Sequence, residues 1–282
     1  MTTRLRLAVP NKGRLLEPTL ALLHDAGLVF DARERSLVSH CANFPLDILF
    51  IRTEDVVEFV GDGVADIGIT GTNLLAESGR PLETRAALHY GRCRLDAAVP
   101  TDAPGQTLED LAGCRIATSH PAYAARFFLE RGIDVTLVPL SGAVEVAPRM
   151  GVADAIVDLV STGSTLLVNG LRSIGTLLTS EAILVANPGV DGPANEVVTM
   201  VRAVVDGRER RYLMMNAPIG ALPEIETLLP GLGSPSVVPL ARPGMVAVHA
   251  VVGADEVWGL LGRLRTAGAS GILVLPVELL LP

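Results

Sequence analysis

Short apolar runs, each closed by a polar or glycine-bearing break and followed by helical spacing, recur along most of this chain. That alternation predicts strand–turn–helix units of an α/β fold. Leu5 to Pro10 reads as a strand and Asn11 to Arg14 as a loop. Leu15 to Ala26 reads as a helix stopped at Gly27, a residue that accepts the left-handed backbone of a helix end. Strands are expected at Phe44 to Ile51 and Gly63 to Ile69, and a short helix at Asp55 to Gly61. A turn at Thr70 to Asn73 should lead into a helix from Leu74. The grammar returns with a strand at Arg115 to Thr118, a loop at Ser119 to Pro121 and a helix at Ala122 to Glu130.

Val152 to Leu171 is the most informative stretch. An apolar run broken by Asp154 and Asp158 meets Ser161-Thr162-Gly163-Ser164-Thr165, after which helix-like spacing resumes. A buried strand, a hydroxyl-rich turn and a helix start make an anion site, because the first N–H groups of a helix have no internal partner. Asp158 stands four residues before Thr162, where a carboxylate can hold sugar hydroxyls or Mg²⁺ beside a phosphate. An ordinary capped turn would use the same residue types. Gly151-Val152-Ala153-Asp154 also repeats Gly63-Val64-Ala65-Asp66, and each tetrapeptide leads into a strand and a Thr-Gly turn. The repeat predicts two α/β lobes of one plan whose strand-end loops face each other across a cleft.

Beyond the second lobe, Glu181 to Asn187 reads as a strand and Asn195 to Gly207 as a helix. From Arg208 the pattern changes. Strands at Tyr212 to Asn216, Val237 to Leu240, Val246 to Val252 and Ile272 to Val277 alternate with helices at Leu222 to Leu229 and Asp255 to Thr266. That is the β-α-β-β-α-β order of a ferredoxin-like module, suited to sensing or assembly.

Composition narrows the function classes. The 282 residues are 49% hydrophobic and 19% charged, enough for a sizeable core in two or three domains. Twenty-three basic against 31 acidic residues give a net charge of −8, which disfavours nucleic acid and anionic membranes as partners. The N-terminus has no signal-like apolar core and no run is long enough to span a membrane, so a cytoplasmic protein is expected. Cys41, Cys93 and Cys114 form no C-x-x-C pair and read as reduced thiols. The five histidines are scattered and read as surface or satisfied core residues rather than a zinc site.

The candidate chemistry lies in loops. Lys12 is the only lysine in the chain and sits in a strand-to-helix loop with Gly13 and Arg14. A compact ammonium, a glycine allowing close backbone approach and a bidentate guanidinium suit a pyrophosphate or triphosphate. Asp66 with Thr70 to Thr72 is a third, weaker candidate, and Glu145 either caps a helix or points at a ligand hydroxyl. No Ser/His/Asp order, H-E-x-x-H or Walker pattern occurs. The residues therefore suit transfer between two bound phosphorylated substrates, driven by proximity and electrostatics.

With these residues identified, the chain resembles the ATP phosphoribosyltransferases, the first enzymes of histidine biosynthesis, in their long form. The strongest motifs are GAVEVAPRMGVADAIVDLVSTGSTLLVNGL at 142–171 and RIATSHPAYAARFF at 115–128. NKGRL at 11–15 and ADIGITG at 65–71 support them. YLMMNAP at 212–218, LLPGLGSPSVVPL at 228–240 and GASGILVLPVE at 268–278 resemble the regulatory domain of the long form. The resemblance implies a two-lobed core like periplasmic binding proteins and an ACT-like C-terminal domain. Lobe I is expected at 1–95 with 181–207, lobe II at 96–180 and the regulatory domain at 208–282.

The implied reaction joins phosphoribosyl pyrophosphate to N1 of ATP, releasing pyrophosphate, with Mg²⁺ travelling on the substrates rather than on fixed protein ligands. The sugar phosphate falls to Ser161, Thr162, Gly163, Ser164 and Thr165, and the ribose to Glu145, Asp154 and Asp158. ATP falls to Lys12, Gly13, Asp66 and Gly71, and the catalytic cations are Lys12, Arg14 and Arg35. Inhibitory histidine is implied at Asn216, Leu232, Ser234, Ser236, Ala269 and Ser270, between subunits of a homo-oligomer that forms dimers and hexamers. Rival readings are a two-lobed binding or effector protein, for which neither a leader nor a helix-turn-helix is seen, and a phosphoribosyltransferase for another base.

Overall fold

A computed structural model describes residues 4–31, 36–229 and 233–281. Arg35 and Leu232 lie outside the described residues. The chain opens with β1 (Leu5–Pro10), α1 (Leu16–Asp25), β2 (Val38–His40), β3 (Leu46–Ile51), α2 (Val56–Gly61), β4 (Ile67–Gly71), α3 (Thr72–Ser78) and β5 (Glu83–Ala87). It continues with β6 (Cys93–Pro100), β7 (Arg115–Thr118), α4 (Pro121–Glu130), β8 (Thr136–Pro139), β9 (Ala155–Val160), α5 (Ser164–Val168) and β10 (Leu171–Ser180). Then come β11 (Ala182–Ala186), α6 (Pro193–Arg208), β12 (Arg210–Pro218), α7 (Leu222–Leu228), β13 (Ser236–Pro239), β14 (Met245–Gly253), α8 (Val257–Thr266) and β15 (Ser270–Pro276).

The described strands form three sheets. Lobe I carries the order β2-β3-β1-β4-β11-β5, and lobe II the order β10-β6-β9-β7-β8. At the centre of each, strands with largely buried apolar runs pair in parallel, β1 with β4 in lobe I and β7 with β9 in lobe II, while β3 and the more exposed edge strand β8 extend the parallel pairing outward. The cores follow. Ala8, Val56, Val60 and Val185 pack together in lobe I; lobe II packs Leu95, Ile116, Phe127 and Phe128 on one face and Ala98, Ile156, Val160 and Leu166 on the other.

Two short segments connect the lobes. The chain leaves the first sheet after β5 and enters the second at β6, and it returns between β10 and β11. The outward crossing therefore lies at residues 88–92 and the return at Glu181. Leu88 N–H donates to the Ala182 carbonyl and Ala182 N–H to the Tyr90 carbonyl, tying the two crossings side by side. Gly91 is in the left-handed region, and a Cβ there would lie 2.3 Å from a methyl of Leu15. The hinge thus needs a residue without a side chain to let Leu15 seat the loop before α1.

The C-terminal unit is a separate antiparallel sheet, order β13-β14-β12-β15, with its core on one face formed by Leu213, Met215, Ile225, Val248, Leu260 and Leu264. This is the expected ferredoxin-like plan. The compact unit comprises residues 199–282 and 22–27. No helix among the described residues is long and apolar enough to cross a membrane.

Candidate functional site

Both lobes and the hinge line one cleft of about 570 Å³, with Lys12, Gly13, Arg14, Gly71, His120 and Leu159 among its walls. The loop at the C-terminal end of β1 lines it, as open α/β sheets place their ligand sites. Gly13, with φ of +81°, turns the chain out of β1, and Leu16 N–H closes the turn on its carbonyl at 3.2 Å. Lys12 and Arg14 are exposed on that turn.

The two anion loops expected from the sequence meet here. The Arg14 guanidinium donates to Ser161 Oγ at 2.7 Å, and its other nitrogen to Cys93 Sγ at 2.8 Å. Gly163, left-handed with φ of +82°, precedes α5, and the Thr162 and Ser164 hydroxyls share a hydrogen bond of 2.9 Å. Ser161, Thr162, Ser164 and Thr165 are exposed, so hydroxyls and free N–H groups remain open to an anion.

Asp158 lies within β9, half-buried, on the face of the sheet that carries Ile156 and Val160. Burial pushes its carboxyl above the usual carboxylate range and the Glu145 charge adds to the rise, while the Leu159 N–H opposes both. Glu145 is half-buried in a single turn at Val144–Val146, which follows Ala143 in the left-handed region. Two carboxylates are thereby brought together beside the hydroxyl loop.

Asp154 and Asp66 do something else. Asp154 precedes β9, and its carboxylate accepts the Arg115 N–H at 2.8 Å while its own N–H donates to the Arg115 carbonyl. Asp66 precedes β4 and makes the same pair with Arg6, its carboxylate accepting the Arg6 N–H at 2.7 Å. Each aspartate latches the start of its strand to the neighbouring parallel strand. The six residues of β9 separate Asp154 from the hydroxyl loop by ~20 Å at about 3.3 Å per residue. The repeated G-V-A-D makes the same strand-start contact in both lobes.

The expected turn at Thr70 to Asn73 is also absent as a loop. Gly71 ends β4 and directly precedes α3. The Thr72 N–H donates to the Glu181 carbonyl at 2.9 Å and the Asn73 N–H to Ser180 Oγ at 3.0 Å, so the first donors of α3 are used by the hinge. The lobe I copy of the anion loop has become a hinge anchor. Gly71 still lines the cleft, and a Cβ there would lie 2.4 Å from Asn73 Oδ1.

Sequence reasoning missed the hinge-side wall. Asn73, Ser180 and His120 are all buried and all line the cleft, and Asn73 Nδ2 lies 2.9 Å from His120 Nε2. Burial pulls the His120 pKa down, with the Glu77 charge partly opposing. Glu77 of α3 accepts the Ala122 and Tyr123 N–H groups at 2.9 and 2.8 Å, capping α4 of the other lobe. His120 is thus a cleft residue rather than surface or passive core. Its signal was a histidine directly before the proline that starts a helix, at a strand's C-terminal end. Among the described residues no group of three or more His, Cys, Asp or Glu side chains converges as a metal site.

In the C-terminal unit, Asn216 pairs with Ser270 across β12 and β15, and the Ser270 hydroxyl donates to the Asn216 carbonyl at 3.3 Å. Ala269 and Ser270 line a depression of about 530 Å³ with Arg265 and Gly271. Ser236 lies on β13, the opposite edge of the sheet, with Ser234 just before it. Within one chain the expected histidine residues therefore form two groups, with Ser236 on β13 two strand spacings from Asn216 (~10 Å) and three from Ser270 (~14 Å).

The chain matches the family model described as ATP phosphoribosyltransferase over residues 52–205 and that described as HisG, C-terminal domain, over 207–279. An ATP phosphoribosyltransferase of Gemmatimonas aurantiaca is 46% identical, with 99% of this chain and 100% of that one covered. Another from Cytophaga hutchinsonii is 41% identical over 99% of each. Among solved structures, an ATP phosphoribosyl transferase HisG:HisZ complex from Thermotoga maritima is similar with a TM-score of 0.62 and 31% identity, covering 72% of this chain and 98% of that one. Tv2483 bound to L-arginine, 14% identical with a TM-score of 0.50 over 73% of this chain and 86% of that one, shares the two-lobed fold alone.

Proposed function

The chain belongs to the ATP phosphoribosyltransferase family, and from that premise we propose that it transfers the phosphoribosyl group of phosphoribosyl pyrophosphate to N1 of ATP, the first step of histidine biosynthesis. The observation that carries the reading is the meeting of two anion loops from opposite lobes, with Arg14 bonded to Ser161 across a cleft of about 570 Å³. One loop offers hydroxyls and backbone N–H groups to the 5-phosphate. The other offers a lysine and an arginine to pyrophosphate or the ATP phosphates.

Adenine N1 has a free lone pair, so attack on the anomeric carbon needs no base. The barrier lies in separating pyrophosphate from a sugar that becomes oxocarbenium-like. Lys12 and Arg14 stabilise the negative charge that grows on the leaving group, and the cleft holds the two substrates in line. Asp158 and Glu145 orient the ribose hydroxyls, and their negative charge lies beside the reacting carbon. Two neighbouring carboxylates, rather than a cage of ligands, suit Mg²⁺ arriving on phosphoribosyl pyrophosphate, where it supplies charge neutralisation on the leaving group. Arg35, named by the family resemblance alone, stays a candidate for the same charge.

Histidine inhibition is assigned to the C-terminal unit. The separation of Asn216 on the inner strand β12 and Ser270 on one sheet edge from Ser234 and Ser236 at the other edge favours a pocket completed by a second subunit, in a homo-oligomer. The activity is tested by supplying ATP and phosphoribosyl pyrophosphate and following the ultraviolet absorbance of N1-substituted adenine. Turnover with another base and none with ATP would move the protein to a different phosphoribosyltransferase class.

A further inference from the structure

The cleft that the Lys12 loop lines also holds a chain of hydrogen bonds that runs through both lobes and the hinge. Asn73 N–H donates to Ser180 Oγ at 3.0 Å, and the Ser180 hydroxyl donates to Asn73 Oδ1 at 2.8 Å. That assignment gives the Ser180 proton an acceptor and leaves Asn73 Nδ2 to donate to His120 Nε2 at 2.9 Å. His120 Nε2 is then the acceptor nitrogen, and the proton of the neutral ring sits on Nδ1. Nδ1 lies 2.9 Å from Ser119 Oγ and donates to it. Asn73 and His120 are 5% and 4% exposed, so the order of donors is set by the protein rather than by water. The ring is fixed at its base as well, where its main-chain N–H donates to Thr118 Oγ1 at 2.9 Å.

Ser119 is the end of this chain and lines the cleft together with Lys12, Gly13 and Arg14. Because its oxygen accepts the His120 proton, its own proton turns away from the ring and into the cleft. We propose that His120 is a positioning residue for phosphoribosyl transfer: held by Asn73 of lobe I, it orients the Ser119 hydroxyl of lobe II as a donor to a phosphate or pyrophosphate oxygen of bound substrate. The proposal rests on the phosphoribosyltransferase reading above. It adds a lobe II donor to the cleft that Lys12 lines, and it makes that donor depend on contact between the lobes, since the Asn73–His120 bond joins α3 to the start of α4.

The test is a double-mutant cycle in the full-length protein with Ser119→Ala, His120→Gln and the pair, and His120→Asn as the conservative variant. An asparagine amide reaches the position of Nδ1, and a glutamine amide that of Nε2. Ser119→Ala and His120→Gln should each lower kcat/KM about tenfold, a loss equivalent to one hydrogen bond to a charged group. The pair should fall no further than either single variant, and His120→Asn should retain most of the activity. Thermal unfolding of each variant separates this from a packing role, which would lower Tm without coupling the two positions in kcat/KM.

Losses that multiply in the pair, or unchanged kcat/KM in His120→Gln, overturn the proposal. If His120→Gln fails to fold, Ser119→Ala decides alone, and unaltered kcat/KM there overturns it. Absence of turnover in the unsubstituted protein would instead contradict the phosphoribosyltransferase reading. Calorimetric binding of phosphoribosyl pyrophosphate to the same proteins then decides the relay by the same coupling criterion.

Discussion

Asp158 is an aspartate that the fold holds at a disadvantage. Its pKa is raised by burial first and by Glu145 second, so above the ordinary carboxylate range the folded state binds more protons than the unfolded chain. Stability then falls as pH rises from that range through the raised folded value, and the full cost is present above it. Asp158→Asn should therefore raise Tm at neutral pH, with the gain shrinking on acidification, while kcat/KM for phosphoribosyl pyrophosphate drops ~10–100-fold for the lost charged hydrogen bonds. Calorimetry and steady-state kinetics on one preparation check both. His120 has the opposite sign. Burial lowers its pKa, Glu77 being the charged neighbour that opposes this, so the unfolded chain takes up the proton first. Its contribution to stability is complete above the unfolded value near 6.5 and is lost as pH falls toward the lower folded value. Lys12 is exposed, so Lys12→Met should leave Tm unchanged and lower kcat by ~10²–10³, the usual loss for a donor to transition-state charge.

Among the elements, the two copies of G-V-A-D show what a repeat in sequence can and cannot say. The repeat correctly marks two equivalent strands, β4 and β9, each latched by an aspartate to its parallel neighbour. It does not mark two equivalent ligand sites. In lobe II the following loop is open, with four exposed hydroxyls, whereas in lobe I the equivalent N–H groups are taken by Glu181 and Ser180 of the hinge. Asp154→Ala should accordingly cost about 1 kcal/mol of stability, the usual net value of a hydrogen bond, and leave KM for phosphoribosyl pyrophosphate unchanged. The inner parallel strands β1, β4, β7 and β9 were legible because their apolar runs are largely buried, and the main helices because of their spacing. Strands β2, β5, β6, β8 and β10 were not, and β10 in particular alternates around Gly175 with register shifts against β6. The hydroxyl loop and the Lys12–Arg14 turn were legible as exposed loops because glycine and polar residues break the apolar runs at short spacing. The Asn73–His120 bond spans 47 residues, and such a contact exists only once the lobes have folded.

At the level of the whole molecule, the chain divides into two compact units, with activity proposed for one and histidine control for the other. The catalytic unit puts its loops around one cleft joined by a double hinge, so positions such as Gly91, which carry no chemistry, still govern how those loops meet. The C-terminal unit has its own core and its own depression beside Ser270. Asn216→Ala should raise the histidine concentration for half-inhibition by about tenfold, the equivalent of ~1.4 kcal/mol, with kcat unchanged; a parallel loss of kcat would place Asn216 outside a dedicated regulatory site. All of this presumes one reaction. The most direct test is to incubate the purified protein with ATP, phosphoribosyl pyrophosphate and Mg²⁺ and to record the ultraviolet absorbance of N1-substituted adenine, with pyrophosphate measured in parallel. The account predicts equal amounts of N1-phosphoribosyl-ATP and pyrophosphate, formed only when both substrates are present. Pyrophosphate released without the adenine product, or no product at all from a folded protein, would contradict it.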